Sequence, residues 1–150
     1  MPSITSKEYE LLKPCFAALF QLVLPKVDLP ADKQPMAVLE AMEKSAPGNA
    51  LKGLKMALND MVEATLSWPH EKVVEVDRRF AAAGLLTLSE LRQRYSRVYA
   101  KVLKRGKVNN MEEYYLVKGV LDGASLDSEE SEKLTRILTS FENQNPSENR

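Results

Sequence analysis

The sequence predicts an all-α fold, arranged as a compact single-domain bundle of about seven helices. Apolar residues recur at helical spacing along most of the chain, and no stretch alternates between apolar and polar residues as a half-buried strand would. Capping and chain-breaking residues separate the periodic stretches at short intervals, which favours short connections between helices. With 150 residues, the chain can bury about two-thirds of its surface without help from metals or disulfides.

Three helices are predicted in the first half of the chain. The first runs from about Ser6 to Val23, where Thr5 and Glu8 have the spacing of a capping box. The second runs from about Pro35 to Lys44, and the third from about Ala50 to Leu66. The apolar stripe of the first helix is wide, which predicts a central position with neighbours on more than one side.

Two more helices follow. The fourth is predicted over residues 69–83, since proline suits the first position of a helix. The fifth is predicted from about Leu88 to Arg105, because Thr87 and Glu90 form a second capping-box pattern and Gly106 stops the helix.

The last two helices complete the predicted domain, which covers residues 1–142. Asn109 or Asn110 caps the sixth, which reaches about Leu121, and Asp127 opens the seventh. Residues 143–150 contain no apolar side chain, so a disordered C-terminal tail is expected there.

Charge and cysteine content exclude several classes of protein. The net charge is zero and Cys15 is the single cysteine, so a disulfide framework is excluded. The most apolar run is about half the length of a membrane span, and the N-terminus lacks the order of a signal peptide. We therefore expect a cytoplasmic protein that does not enter membranes. Residues 72–107 carry a net charge of +7 and residues 108–150 a net charge of −5.

The basic segment predicts a cationic face on the fifth helix. At about 100° per residue, the apolar residues of this helix occupy one face and the basic residues the opposite one. The basic set is Arg94, Arg97, Lys101, Lys104 and Arg105. This face is either simply solvated or binds an anionic partner such as a nucleic acid. Nucleic acid is the less favoured partner, because Tyr95 and Tyr99 lie on the buried side and the whole chain is neutral.

A DNA-binding helix-turn-helix motif formed by the fifth and sixth helices is also disfavoured. The second helix of such a motif enters the major groove. Here that helix opens with Glu112 and Glu113, whose carboxylates would face phosphate groups.

Catalytic and metal-binding patterns are lacking in the sequence. His70 is the only histidine, and one histidine with one cysteine is far below a zinc pattern. A Cys15–His70 pair would need an accessible thiol, whereas Cys15 lies in an apolar stretch. No phosphate-binding glycine loop or nucleophile elbow occurs. We therefore expect no enzyme activity, no cofactor and no metal.

Carboxylates cluster where the last two helices begin. This set comprises Glu112, Glu113, Asp127, Glu129 and Glu130. Next to it, Tyr114 and Tyr115 cannot both face the core, because neighbouring residues on a helix differ by about 100°. A half-exposed tyrosine is a good interface anchor. The alternative is a solvated acidic face beside a wide apolar stripe.

Three segments carry a resemblance to a known class of protein. They are LLTLSEL at residues 85–91, KRGKVNNMEEYYLV at residues 104–117 and LDSEE at residues 126–130. Over about residues 72–142, the chain resembles small all-helical immunity proteins of bacterial polymorphic toxin and contact-dependent growth inhibition systems. The resemblance implies that the protein binds a cognate toxin domain and masks its active site.

The acidic region and the resemblance together predict a contact surface. A nuclease toxin must hold phosphates and is therefore expected to be basic. Its inhibitor does best with carboxylates where the nucleic acid would lie. We expect the acidic set and one of the two tyrosines to contact the toxin. The alternative is a small nucleic-acid-binding or regulatory protein that uses the basic face of the predicted helix over residues 88–105.

Overall fold

A computed structural model describes residues 7–23, 30 and 34–144, which contain eight helices and no strand. The helices are α1 (Lys7–Val23), α2 (Pro35–Ser45), α3 (Pro47–Ala64), α4 (His70–Ala82), α5 (Leu88–Tyr95), α6 (Arg97–Arg105), α7 (Met111–Gly123) and α8 (Ser128–Gln144). The all-α class is confirmed. The proposed Thr5 cap lies outside the described residues. Helix α8 extends two residues into the predicted tail, and residues 145–150 are not described.

The described residues contain eight helices where about seven were predicted, because the predicted helix over Leu88–Arg105 is two helices. The chain is extended at Ser96, with φ −79° and ψ 122°. The Ser96 Oγ accepts a hydrogen bond from the Tyr99 N–H at 3.1 Å and so caps α6. Angles calculated for one continuous helix therefore do not apply across this position.

Two residues of α3 stabilise the break between α5 and α6. The Asn59 side-chain amide donates a hydrogen bond to the Tyr95 carbonyl at the end of α5. One turn later, the Glu63 Oε1 accepts a hydrogen bond from the Arg97 N–H at 2.6 Å. Both new helix ends thus find partners outside their own helices. Local apolar spacing cannot reveal this break, since it is specified from α3.

The core consists of two apolar clusters. The first is built from α1 to α5 and contains Leu58 and Leu91, both fully buried. The second is built from α6 to α8 and contains Tyr99, Val102 and Leu134. Redirecting the chain at Ser96 lets α5 and α6 serve different clusters. Among the helices of the described residues, none has the length and apolar character needed to cross a membrane.

Polar contacts fix both ends of α5 within the first cluster. Arg92 is only 3% exposed, and its Nη2 donates to the Thr65 carbonyl at 2.6 Å, which caps the end of α3. Burial lowers the pKa of Arg92 to about 10, so the side chain stays protonated at neutral pH. At the start of α5, Asp77 accepts hydrogen bonds from the Ser89 N–H at 2.9 Å and the Ser89 Oγ at 2.5 Å. Helix α5 is thereby fastened to α3 and α4.

Replacing Glu63 with alanine tests whether α3 specifies the break. We expect Glu63→Ala to lower the free energy of unfolding by about 1–2 kcal/mol, because the first N–H groups of α6 lose their carboxylate acceptor. Urea denaturation followed by circular dichroism measures this loss. Asp60→Ala is the control, since Asp60 is exposed on the same helix. Equal denaturation midpoints for the two variants would contradict the role of Glu63.

Candidate partner-binding surface

The two adjacent tyrosines of α7 have different environments. Tyr114 is 4% exposed, and its hydroxyl donates a hydrogen bond to Glu142 of α8. Burial and this carboxylate raise the pKa of the Tyr114 hydroxyl. Tyr115 is 39% exposed. Of the predicted pair, Tyr115 is therefore the side chain available to a partner.

Neighbouring rings hold Tyr115 in place. Its ring centroid lies 5.2 Å from that of Tyr114, edge to face, and 5.6 Å from that of His70 at the start of α4. Val74 lies one turn after His70 and is 48% exposed. An aromatic ring fixed by two others loses little freedom when a partner covers it.

A cavity of about 160 Å³ lies between α4 and α7 beside these residues. Its walls include His70, Val74, Gly119 and Asp122. The Nδ1 atom of His70 is buried and has no hydrogen-bond partner in the described part of the chain. The cavity combines apolar walls with the imidazole of His70 and the carboxylates of Asp77 and Asp122. Such a space suits a side chain with an apolar stem and a hydrogen-bond-donating head.

Close backbone packing closes the far end of this cavity. A Cβ atom on Gly123 would lie 2.5 Å from the Asp77 Oδ2, so this position requires glycine. The Thr87 Oγ1 donates to the Gly123 carbonyl at 2.9 Å. Burial raises the pKa of the Asp77 carboxyl, against its hydrogen bonds from Ser89. These contacts fix the end of α7 against the start of α5.

Exposed carboxylates flank Tyr115 along α7. Glu112 lies three residues before it and Asp122 seven residues after it, and both are exposed. At about 100° per residue, both lie within about 60° of the direction of Tyr115. Exposed carboxylates thus lie on both sides of the Tyr115 ring along α7. Sequence reasoning missed the contributions of His70 and Val74, although their four-residue spacing places both on one helix face.

Glu113, another member of the predicted acidic set, is bound within the protein. Its Oε1 lies 2.8 Å from the Arg105 Nη1 and accepts the Asn109 N–H at 2.8 Å. Its own N–H is capped by the Asn110 side chain at 2.8 Å. The bond from Arg105 is the main cause of a lowered pKa for the Glu113 carboxyl. Glu113 and Arg105 therefore connect α6 to α7.

The predicted acidic residues at the start of α8 have three different environments. Asp127 accepts the Glu130 N–H at 2.8 Å and caps α8. Glu130 accepts the Tyr99 hydroxyl at 2.6 Å and the Gln93 side chain at 3.2 Å. Burial, followed by this carboxylate, raises the pKa of Tyr99. Glu129 is exposed and has no bonded partner among the described residues.

The predicted basic face is divided between two helices. Arg94 belongs to α5, while Arg97, Lys101 and Lys104 follow one face of α6. All four are exposed and have no ion-pair partner in the described ranges. The prediction that all five basic residues share one helical face is therefore wrong, because Ser96 interrupts the helix.

Cys15 and His70 lie in different environments. Cys15 is buried in α1, and its thiol donates to the Leu11 carbonyl at 3.3 Å. Burial raises the pKa of this thiol. Within the part of the chain that the structure describes, no group of three histidine, cysteine or acidic residues is placed to hold a metal ion.

Comparisons with known proteins do not assign the chain to a family. The sequence matches no protein-family model, and neither curated proteins nor solved structures gave a significant match.

Replacing Glu113 with glutamine tests its structural role through pH. A carboxylate with a lowered pKa stabilises the folded state above its unfolded pKa, near 4.5, and this contribution is lost as pH falls through the folded pKa. We expect Glu113→Gln to lower the free energy of unfolding at pH 7 by at most about 1 kcal/mol. The difference from the unmodified protein should disappear in acid.

The neighbouring residue gives a matched control for this measurement. Glu112→Gln changes an exposed carboxylate on the same helical turn, so urea denaturation at pH 7 should be unchanged. A loss of stability in Glu113→Gln that persists unaltered at low pH would contradict the assigned ion pair.

Proposed function

We propose that the protein is an immunity protein that binds a cognate bacterial toxin domain in the cytoplasm through the surface around Tyr115. The observation that carries this proposal is a half-exposed Tyr115, stacked on His70 and flanked by exposed Glu112 and Asp122. Aromatic residues fixed in place and surrounded by polar groups are typical of the residues that dominate binding energy at interfaces. The resemblance over residues 72–142 supports the same function.

Charge favours a basic toxin, with a nuclease as the expected class. A nuclease surface must attract phosphate groups and therefore carries lysine and arginine. Exposed carboxylates at Glu112, Asp122 and Glu129 complement such a surface and would accelerate encounter. By covering the phosphate-binding site, the protein would exclude the nucleic acid substrate.

The internal contacts narrow the predicted set of contact residues. Four members of the predicted set each satisfy a bond inside the protein: Tyr114, Glu113, Asp127 and Glu130. Breaking such bonds on association would reduce affinity. We therefore assign the direct contacts to Tyr115, Glu112 and Glu129 of the predicted set, with the cavity beside His70 receiving a basic side chain of the toxin.

Truncation of Tyr115 tests the anchor. An immunity gene is expected to lie directly beside the gene of its toxin, so the product of the adjacent gene is the partner to test, and surface plasmon resonance gives both rate constants. We expect Tyr115→Ala to weaken binding by about 2 kcal/mol or more, mainly through faster dissociation. Tyr115→Phe retains the ring and should bind almost as tightly as the unmodified protein. Unchanged dissociation for Tyr115→Ala would remove the anchor from the interface.

Charge reversal tests the flanking carboxylates. Glu112→Lys combined with Asp122→Lys should slow association about tenfold or more at low salt, and the effect should shrink as salt screens the charges. Glu10→Lys reverses an exposed carboxylate on α1 and serves as the control. Equal association rates for the double variant and the control would show that the toxin binds elsewhere.

A further inference from the structure

A second concave surface lies at the break between α5 and α6. It is a cleft of about 340 Å³ bounded by α3 on one side and by the break and α6 on the other. The cleft exists because the chain turns at Ser96, so the continuous helix predicted from the sequence could not have revealed it.

The rim of this cleft is cationic and its floor is apolar. Lys55 of α3, Arg94 of α5 and Arg97 of α6 contribute the positive charges. Lys101 extends them one turn further along α6. Met56 contributes an exposed apolar surface and is 57% exposed. A charged rim around an apolar floor is the usual organisation of a protein-binding site.

Two residues that line the cleft, Lys55 and Tyr95, already bind a carboxylate from the protein itself. The Glu8 Oε1 lies 3.1 Å from the Lys55 Nζ. The Glu8 Oε2 accepts a hydrogen bond from the Tyr95 hydroxyl at 3.0 Å. The hydrogen bond from Lys55 is the main cause of a lowered pKa for the Glu8 carboxyl. Lys55 and Tyr95 therefore form a seat for a carboxylate group.

We propose that this cleft binds an acidic segment of a protein partner, with a carboxylate of the partner replacing Glu8 and an apolar side chain covering Met56. The proposal is independent of the surface around Tyr115 and uses the opposite charge. Charge complementarity with Arg94, Arg97 and Lys101 supplies the attraction.

Three observations favour a protein segment over a nucleic acid. The carboxylates of Glu8 and Glu63 bind two residues that line the cleft, Tyr95 and Arg97. They would repel a continuous phosphate backbone. The Tyr95 ring is half-buried, with its hydroxyl bound to Glu8, so it offers no free face for a stacked base. The exposed Met56 offers an apolar contact that a phosphate backbone cannot use.

The experiment uses a fluorescein-labelled peptide of about 12 residues that repeats the order Glu-Glu-Leu, titrated with the full chain by fluorescence anisotropy. We expect Arg97→Glu combined with Lys101→Glu to weaken peptide binding about tenfold or more. Arg136→Glu reverses one charge at an exposed residue of α8 and should have little effect. Arg97→Glu alone is compared with it, because both variants reverse one charge. The backbone N–H of residue 97 can still donate to Glu63 in these variants, so we expect them to fold. Circular dichroism checks this.

Two further variants test separately the carboxylate seat formed by Lys55 and Tyr95 and the apolar contact at Met56. Glu8→Gln should tighten peptide binding about threefold, because the competing carboxylate is removed, whereas Glu10→Gln on the same helix should leave it unchanged. Met56→Gln should weaken binding without adding charge or altering α3, since Met56 is exposed. A Glu8→Gln variant that binds no more tightly than Glu10→Gln would overturn the assigned seat.

A matched nucleic acid probe decides between the two classes of partner. A single-stranded oligouridylate with the same net charge as the peptide is titrated under the same salt conditions. Weaker binding of the RNA, unaffected by Met56→Gln, supports the proposal. Tighter binding of the RNA, or equal peptide affinity for Arg97→Glu and Arg136→Glu, overturns it.

Discussion

The hydrogen bonds from α3 to the break at Ser96 are the contacts on which the arrangement of the other helices depends. Asn59 and Glu63 lie one turn apart, and they bind the carbonyl that ends α5 and the N–H that begins α6. Because both helix ends are satisfied, the chain can turn without burying unpaired backbone groups. This turn directs α5 into one apolar cluster and α6 into the other, and it opens the cationic cleft between α3 and the break.

Arg92 adds a second fixed point on α5. Its buried guanidinium binds the end of α3, while Asp77 of α4 binds the start of α5. A buried charge is costly unless it is fully hydrogen-bonded, so this arrangement favours one position of α5 over its alternatives. The rigid unit of α3, α4 and α5 also supports α7, whose exposed Tyr115 packs on the first residue of α4.

Local signals in the sequence were sufficient where the interacting residues are close in the chain. The capping box of Thr87 and Glu90 and the helix end at Gly106 occur as predicted, and Asn110 is the cap of the two asparagines considered. The break at Ser96 was missed because Glu63 lies 33 residues earlier. For the same reason, the sequence could not show that Glu130 is bound by Tyr99. Where a predicted surface residue binds a side chain on another helix, the sequence alone did not reveal its role.

The two glycines near the end of α7 differ in how much substitution the fold would tolerate. Packing accounts for Gly123, where any side chain would collide with Asp77 and Ser89. It does not account for Gly119, where a methyl group would meet its nearest atoms at 3.7 Å and 3.9 Å, both ordinary contacts. Alanine at position 119 would even favour the helix. The empty volume beside Gly119 is thus not a requirement of folding, and it is free to be filled by another molecule.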